Sequence, residues 1–160
     1  MILKITLVLA AVALPFAISA AAQPKKNTPP SPSIVLRPIS QADAVKGSAA
    51  YAEVLLRKTE LASDLESLLV EYTEDYPKVK EARYESELLQ KDLDRMAALP
   101  AAETRRLTLA LGRLMVRRAE IETALWALRQ QYSDDYPEVK RTKKKAEIFE
   151  NAIREIMQSK

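Results

Sequence analysis

Cysteine and histidine are both missing from this 160-residue chain, and glycine occurs only twice. Without cysteine there is no disulfide, no thiolate nucleophile and no lipidated thiol. Without histidine the commonest general base and the commonest transition-metal ligand are gone. The shortage of glycine also removes the Gly-rich loops that cradle phosphates, and no nucleophile elbow or metal-ligand cluster is present. Aromatic residues make up only 6% of the chain. Charge of one sign is lacking too: 25 basic residues face 22 acidic ones, a net +3, which is too weak a bias for a nucleic-acid partner. What remains abundant is Ala, Leu, Glu, Lys and Arg, the composition of long helices and coiled coils.

The chain contains one stretch twice. Residues 71–80 read EYTEDYPKVK and residues 131–140 read QYSDDYPEVK, at an offset of 60. The similarity extends outward at the same offset, through Arg57 and Arg117, Glu60 and Glu120, Leu65 and Leu125, Leu68 and Leu128, and Glu87 and Glu147. A duplicated unit of this size is one supersecondary element repeated, and about 120 residues suffice for one modest core.

Residues 1–22 read as a signal peptide: Lys4, an apolar run over 5–18 containing Pro15, then small residues with Ala20 and Ala22 fitting an A-x-A cleavage site. The rival reading is an uncleaved membrane anchor, since 5–22 is about as long as the shortest spanning helix. Either way the rest of the chain is expected to be exported, periplasmic or secreted. Residues 23–40 hold Pro24, Pro29, Pro30, Pro32 and Pro38 and read as an extended linker. Residues 41–160 then form the duplicated helical-hairpin domain, with hairpin 1 over about 41–99 and hairpin 2 over about 100–160.

Four heptad stripes can be counted there. Over 42–72 the apolar rhythm runs through Tyr51, Val54, Lys58, Leu61, Leu65, Leu68 and Tyr72, at alternating spacings of three and four. Val79, Ala82, Ser86, Leu89, Leu93 and Met96 continue it in a second helix. A third helix is expected to start at Pro100, carrying Leu107, Leu111, Leu114, Arg118, Ile121, Leu125, Leu128 and Tyr132. A fourth carries Val139, Thr142, Ala146, Phe149, Ile153 and Ile156. Proline removes a helical donor and pushes its predecessor out of the helical region, so Tyr76-Pro77 and Tyr136-Pro137 break the helix. Two stripes facing each other across a short break make an αα-hairpin.

The spacing therefore predicts an all-α fold of two tandem antiparallel coiled-coil hairpins packed as a four-helix bundle, with both Tyr-Pro tips at one end. Tyr72 and Tyr132 are expected to close the two seams, beside Val79 and Val139. Leu55, Leu56, Leu69, Val70, Met115, Val116 and Trp126 lie off the main seams. They require either hairpin-on-hairpin packing or a second subunit.

Few residues are candidates for more than packing. Lys58 and Arg118 interrupt matching seam positions and are expected to fix register by pairing, Lys58 with Asp92 or Asp94 and Arg118 with Glu150 or Glu155; the alternative is a charge that binds a ligand inside the bundle. The acids Glu74, Asp75, Asp134 and Asp135 sit where helix starts favour negative charge. Calcium held between the tips is the other reading, although no EF-hand spacing is present. Lys140, Arg141, Lys143, Lys144 and Lys145 form a basic run where the first copy has the more mixed Lys80-Glu81-Ala82-Arg83-Tyr84-Glu85. It is either a solvated face or a contact for anionic lipid or acidic polysaccharide. Trp126 stands where the first copy has Glu66, and reads as an inter-hairpin contact or an exposed partner contact. No catalytic residue, cofactor site or metal site is predicted.

The tip motif also carries a family resemblance. A helix ending in tyrosine, a few polar residues, then an aromatic or His before Pro-x-Val and a second heptad helix resembles the coiled-coil tip of bacterial polysaccharide co-polymerases, the chain-length determinant and exopolysaccharide-export family. The matching residues are Tyr72 with Tyr76, Pro77 and Val79, and Tyr132 with Tyr136, Pro137 and Val139; Asp75 and Asp135 lie between them. The family more commonly has His before the proline, so Tyr76 and Tyr136 depart from its pattern. The resemblance covers about 40 residues per copy. Family members carry transmembrane helices at both ends of their periplasmic part, and some carry a tyrosine kinase. These 160 residues contain no second span and no kinase, so chain-length control is not carried over. The resemblance implies an envelope-side helical hairpin in or beside an export system.

The residues together predict an exported, non-enzymatic helical scaffold or interaction module that meets an envelope protein or a second copy of itself. The alternative is a module that binds anionic envelope polymer or membrane through its last helix.

Overall fold

A computed structural model describes residues 40–158. The signal-peptide reading of 1–22 and nearly all of the 23–40 linker lie outside the described residues. The described chain is all-α: α1 (Gln41–Lys46), α2 (Ala49–Glu71), α3 (Pro77–Ala97), a 3₁₀ helix (Ala101–Arg106), α4 (Leu109–Arg129) and α5 (Pro137–Gln158). No helix among the described residues is long and apolar enough to cross a membrane.

Two boundaries differ from the heptad reading, each for a local reason. The first helix is not continuous. Gly47 ends α1, and Ser48 turns extended so that its hydroxyl accepts the Tyr51 N–H at 3.3 Å, capping a new helix. The third helix does not begin at Pro100. A 3₁₀ segment fills 101–106, and Thr108 caps α4 by accepting the Leu111 N–H at 3.3 Å. In both places a hydroxyl residue competes successfully for the orphan donors of a helix start.

The prolines act where expected. Pro77 is the first residue of α3 and Pro137 the first of α5, positions at which the missing N–H costs nothing. The helices on either side fold back on each other, α2 on α3 and α4 on α5. Of the stripe residues, Val54, Leu61, Leu89 and Met96 are buried in hairpin 1, and Ile121, Leu125, Ala146 and Ile153 in hairpin 2.

The two hairpins pack through α4, which lies against α2, α3 and α5. Neither α2 nor α3 meets α5 to a comparable extent. Helices α2 and α4 run parallel: Gly112 faces Ala50, and Arg113 reaches Glu53 at 3.6 Å. That direction puts both tips at the same end. A Cβ on Gly112 would come within 2.9 Å of Ala50 Cα and O, so only glycine permits this approach. At the opposite end the Ala50 N–H donates to the Leu107 carbonyl at 3.2 Å, and Gln41 Nε2 donates to the Leu99 carbonyl at 2.5 Å.

The off-seam apolar residues divide sharply. Met115 is fully buried against hairpin 1 and Val116 is half-buried, whereas Leu55, Leu56 and Val70 on α2 stay exposed. The second hairpin thus covers its own excess by lying on the first.

Candidate functional site

The two tips share three backbone hydrogen bonds. The Tyr72 N–H donates to Leu68 O at 2.8 Å, Tyr76 to Thr73 O at 3.0 Å and Lys80 to Tyr76 O at 3.1 Å. In the second copy Tyr132 donates to Leu128 O at 2.9 Å, Tyr136 to Ser133 O at 3.0 Å and Lys140 to Tyr136 O at 3.1 Å. An identical five-residue turn follows from the shared Tyr-x-x-x-Tyr-Pro spacing.

Tyr72 and Tyr132 each meet a second ring at the tips. Each stacks on the second tyrosine of its own tip, Tyr72 on Tyr76 with centroids 4.1 Å apart and planes 11° apart, and Tyr132 on Tyr136 at 4.3 Å and 10°. The backbone of Tyr72 is extended, and Val79 and Val139 beside the tips are buried. Tyr72, Tyr132 and Tyr136 remain about two-fifths exposed, so this end presents aromatic surface held in a fixed pose.

Each acid at the tips has a basic partner. Lys80 reaches Asp75 at 2.8 Å, Lys140 reaches Asp135 at 2.9 Å, Arg129 reaches Asp134 at 2.8 Å, and Arg83 pairs with Glu74. The Lys80 hydrogen bond and charge hold the Asp75 carboxyl below its ordinary value.

Deeper in the molecule a charged cluster joins the hairpins. The Arg118 guanidinium donates to Asp92 at 2.7 Å and to Glu122 at 2.9 Å, and its Nε lies 3.5 Å from Glu150, within ion-pair reach but without a hydrogen bond. Asp92 therefore pairs with Arg118 of the other hairpin rather than with Lys58. Lys58 instead donates to Gln90 Oε1 at 2.6 Å, and Gln90 passes the chain of bonds on to Asp94 at 2.8 Å. Burial pushes the Asp92 carboxyl up, with the charge and hydrogen bond of Arg118 opposing it. Burial would lower Arg118, but Asp92 and Glu122 outweigh it and raise the guanidinium above its ordinary value.

Beside this cluster, α3, α4 and α5 enclose a groove of about 500 Å³. Its floor includes Tyr84 and Trp126, stacked with centroids 5.2 Å apart and planes 18° apart. Trp126 is thus an inter-hairpin contact. Burial and the nearby Glu122 raise the Tyr84 phenol. The groove lining also includes both Glu122, Glu147 and Glu150 and Arg129, Lys143 and Arg154. Asp92 does not line the groove and is bonded to Arg118, so the groove offers a binding surface of mixed charge.

The basic run lies on the exposed side of α5. Lys140 pairs with Asp135 and Lys144 with Glu147 at 3.2 Å, while Arg141, Lys143 and Lys145 carry no ion pair among the described residues. Two features had escaped the sequence reading. Tyr84 gave no signal until its partner Trp126 was placed, whereas Gly112, a glycine inside a heptad helix, was a legible sign of close backbone approach.

No known family model, curated protein or solved structure matches the chain.

Proposed function

We propose that the protein is an exported, non-enzymatic helical scaffold or protein-interaction module of the bacterial cell envelope, working in or beside a polysaccharide-export system. The observation that carries this reading is the doubled tip. Two turns with the same hydrogen bonds present stacked tyrosine pairs at one end of a rigid helical body. Tyrosine supplies large contact area at low entropic cost, which suits recognition by another protein. The export part of the proposal rests on the sequence of residues 1–22, and the polysaccharide part on the Tyr-x-x-x-Tyr-Pro-x-Val resemblance.

Photo-crosslinking side chains placed at Thr73 and Ser133, with Lys91 as a control position, test it in cells. Discrete adducts in the envelope fraction from the two tips and none from Lys91 are expected. A cytosolic protein, or adducts equal at all three positions, would sink the proposal.

A second reading is favoured by one observation, the unpaired Arg141, Lys143 and Lys145 on α5: this face holds anionic envelope polymer or lipid headgroups. Replacing Lys143, Lys144 and Lys145 by Glu should abolish sedimentation with anionic liposomes. A parent that does not sediment with them removes this reading.

A further inference from the structure

The contact between the hairpins is not symmetric. Hairpin 1 contributes one surface, made of α2 residues Ala50 and Glu53 with α3 residues Tyr84, Leu88 and Asp92. Hairpin 2 contributes a different one, the α4 face of Gly112, Met115, Ala119 and Trp126. Because the hairpins are copies offset by 60, each also carries the surface that the other uses. Those two spare surfaces are open, and their apolar content is high.

Leu88 is 7% exposed because α4 covers it, while its equivalent Ile148 is 58% exposed. Met115 is 0% exposed because it lies on hairpin 1, while its equivalent Leu55 is 43% exposed. The same comparison holds for Val116 and its exposed equivalent Leu56. Of the exposed large hydrophobics among the described residues, Leu55, Leu56 and Ile148 are the equivalents of residues covered in the hairpin contact, and Leu109 lines the open groove on α4 and α5. The spare surface of hairpin 2 includes an open apolar groove whose lining residues Ala110, Leu114 and Phe149 are equivalent to Ala50, Val54 and Leu89, all fully buried in hairpin 1.

We propose that a second copy of this chain fills that groove: α2 of one molecule packs on α4 and α5 of the next, repeating between chains the packing that joins the hairpins within one. Transferring the intrachain contacts by the offset places opposite charges together at two points and loses the Arg95–Glu150 pair, whose equivalents are Glu155 and Gln90. Glu53 with Arg113 becomes Arg113 with Glu53 of the neighbour, the same pair reversed. The stack of Tyr84 on Trp126 becomes Lys144 facing Glu66 of the neighbour, a cation opposite an anion. Leu88 and Met115, both buried, are replaced by the exposed Ile148 and Leu55. The close approach of Gly112 to Ala50 has no counterpart: Ala52 stands where Gly112 does, and its Cβ requires the two helices to sit further apart. The buried Arg118–Asp92 pair has no counterpart, since Asp92 is replaced by Ala152 and Arg118 by Lys58, which also spares that second interface a buried ion pair. A head-to-tail contact of this kind is heterologous, as in stacked repeat proteins. It deepens the scaffold reading by naming a partner, but it does not involve the tips.

Light scattering and sedimentation of the full chain test it. The parent is expected to associate with rising concentration. Ile148→Glu, which blocks the α5 side, and Leu56→Glu, which blocks the α2 side, should each be monomeric with unchanged helical signal. Their mixture should recover a heterodimer and stop there, because each partner retains one working surface. Lys144→Glu and Glu66→Lys should each weaken association, and the double variant should restore it. A parent still monomeric at about 1 mM, at the weak end of specific association, overturns the proposal. So does association that persists in both single variants, which would place the contact elsewhere, including in residues 1–39. Tip adducts without self-association would leave the scaffold reading standing and remove only this inference.

Discussion

Arg118 of α4 donates to Asp92 of α3 at 2.7 Å, and this bond joins the two hairpins inside the core. Replacing Arg118 by Met leaves a buried carboxylate without its bonded cation, a change that costs about 3–5 kcal/mol at neutral pH. Burial already raises Asp92 above 3.8, so its protonated form favours the fold. That contribution is full below 3.8 and is lost as pH rises through the folded-state value. Removing Arg118 withdraws the interactions opposing the rise and extends the window upward. R118M is therefore expected to recover stability as pH falls toward about 4, while R118M/D92N shows no such recovery. Urea melts of both variants across pH measure the difference; parallel curves would show that Asp92 is not the group responsible.

Gly112 allows α4 to approach Ala50. Alanine is the better helix former by about 1 kcal/mol, so propensity alone predicts that G112A stabilises. The added Cβ would sit 2.9 Å from backbone atoms of Ala50, which cannot swing away as a side chain end could. Overpacking of this kind costs about 1–3 kcal/mol and outweighs propensity, so G112A is expected to lower the melting temperature and G112V to lower it further.

Thr123 Oγ1 is buried with no hydrogen-bond partner. T123V keeps the shape of the side chain and removes the unpaired hydroxyl, so it should stabilise by about 1 kcal/mol. Thermal unfolding of T123V checks this, and a loss of stability would mean that the hydroxyl is bonded after all.

Pro77→Ala and Pro137→Ala are expected to cost less than about 1 kcal/mol each, because the opposed stripes and the tip hydrogen bonds enforce the reversal without the ring. Leu125→Asp, at a buried position, should unfold hairpin 2 by burying an unpaired charge. Leu65→Asp should be milder, since Leu65 is only half-buried. Circular dichroism of the four variants gives the ranking.

The legible features of this chain were those set by short-range spacing. Heptads located four long helices, Tyr76-Pro77 and Tyr136-Pro137 located the turns, and the offset of 60 located the duplication. Ser48 and Thr108 show where that reading ran short: a helix pattern continues straight through a capping hydroxyl, because periodicity does not register competition for the N–H groups of a helix start. The tyrosines show the same limit. Tyr72 and Tyr132 fit the stripe, and the fold also stacks each on the second tyrosine of its tip.

The amino-acid sequence by itself determined that this protein is helical, that it is built twice and where each copy reverses, since propensity, heptad period and proline act within a few residues. Only the tertiary structure decided that Asp92 belongs to Arg118 rather than Lys58, that Trp126 lies on Tyr84, and that Leu55 and Ile148 are uncovered while Met115 and Leu88 are covered. Two copies in the same register offer equivalent partners to every such residue. Packing one copy on the other breaks the equivalence, because the first lends one face, the second lends the opposite one, and a face is left open on each.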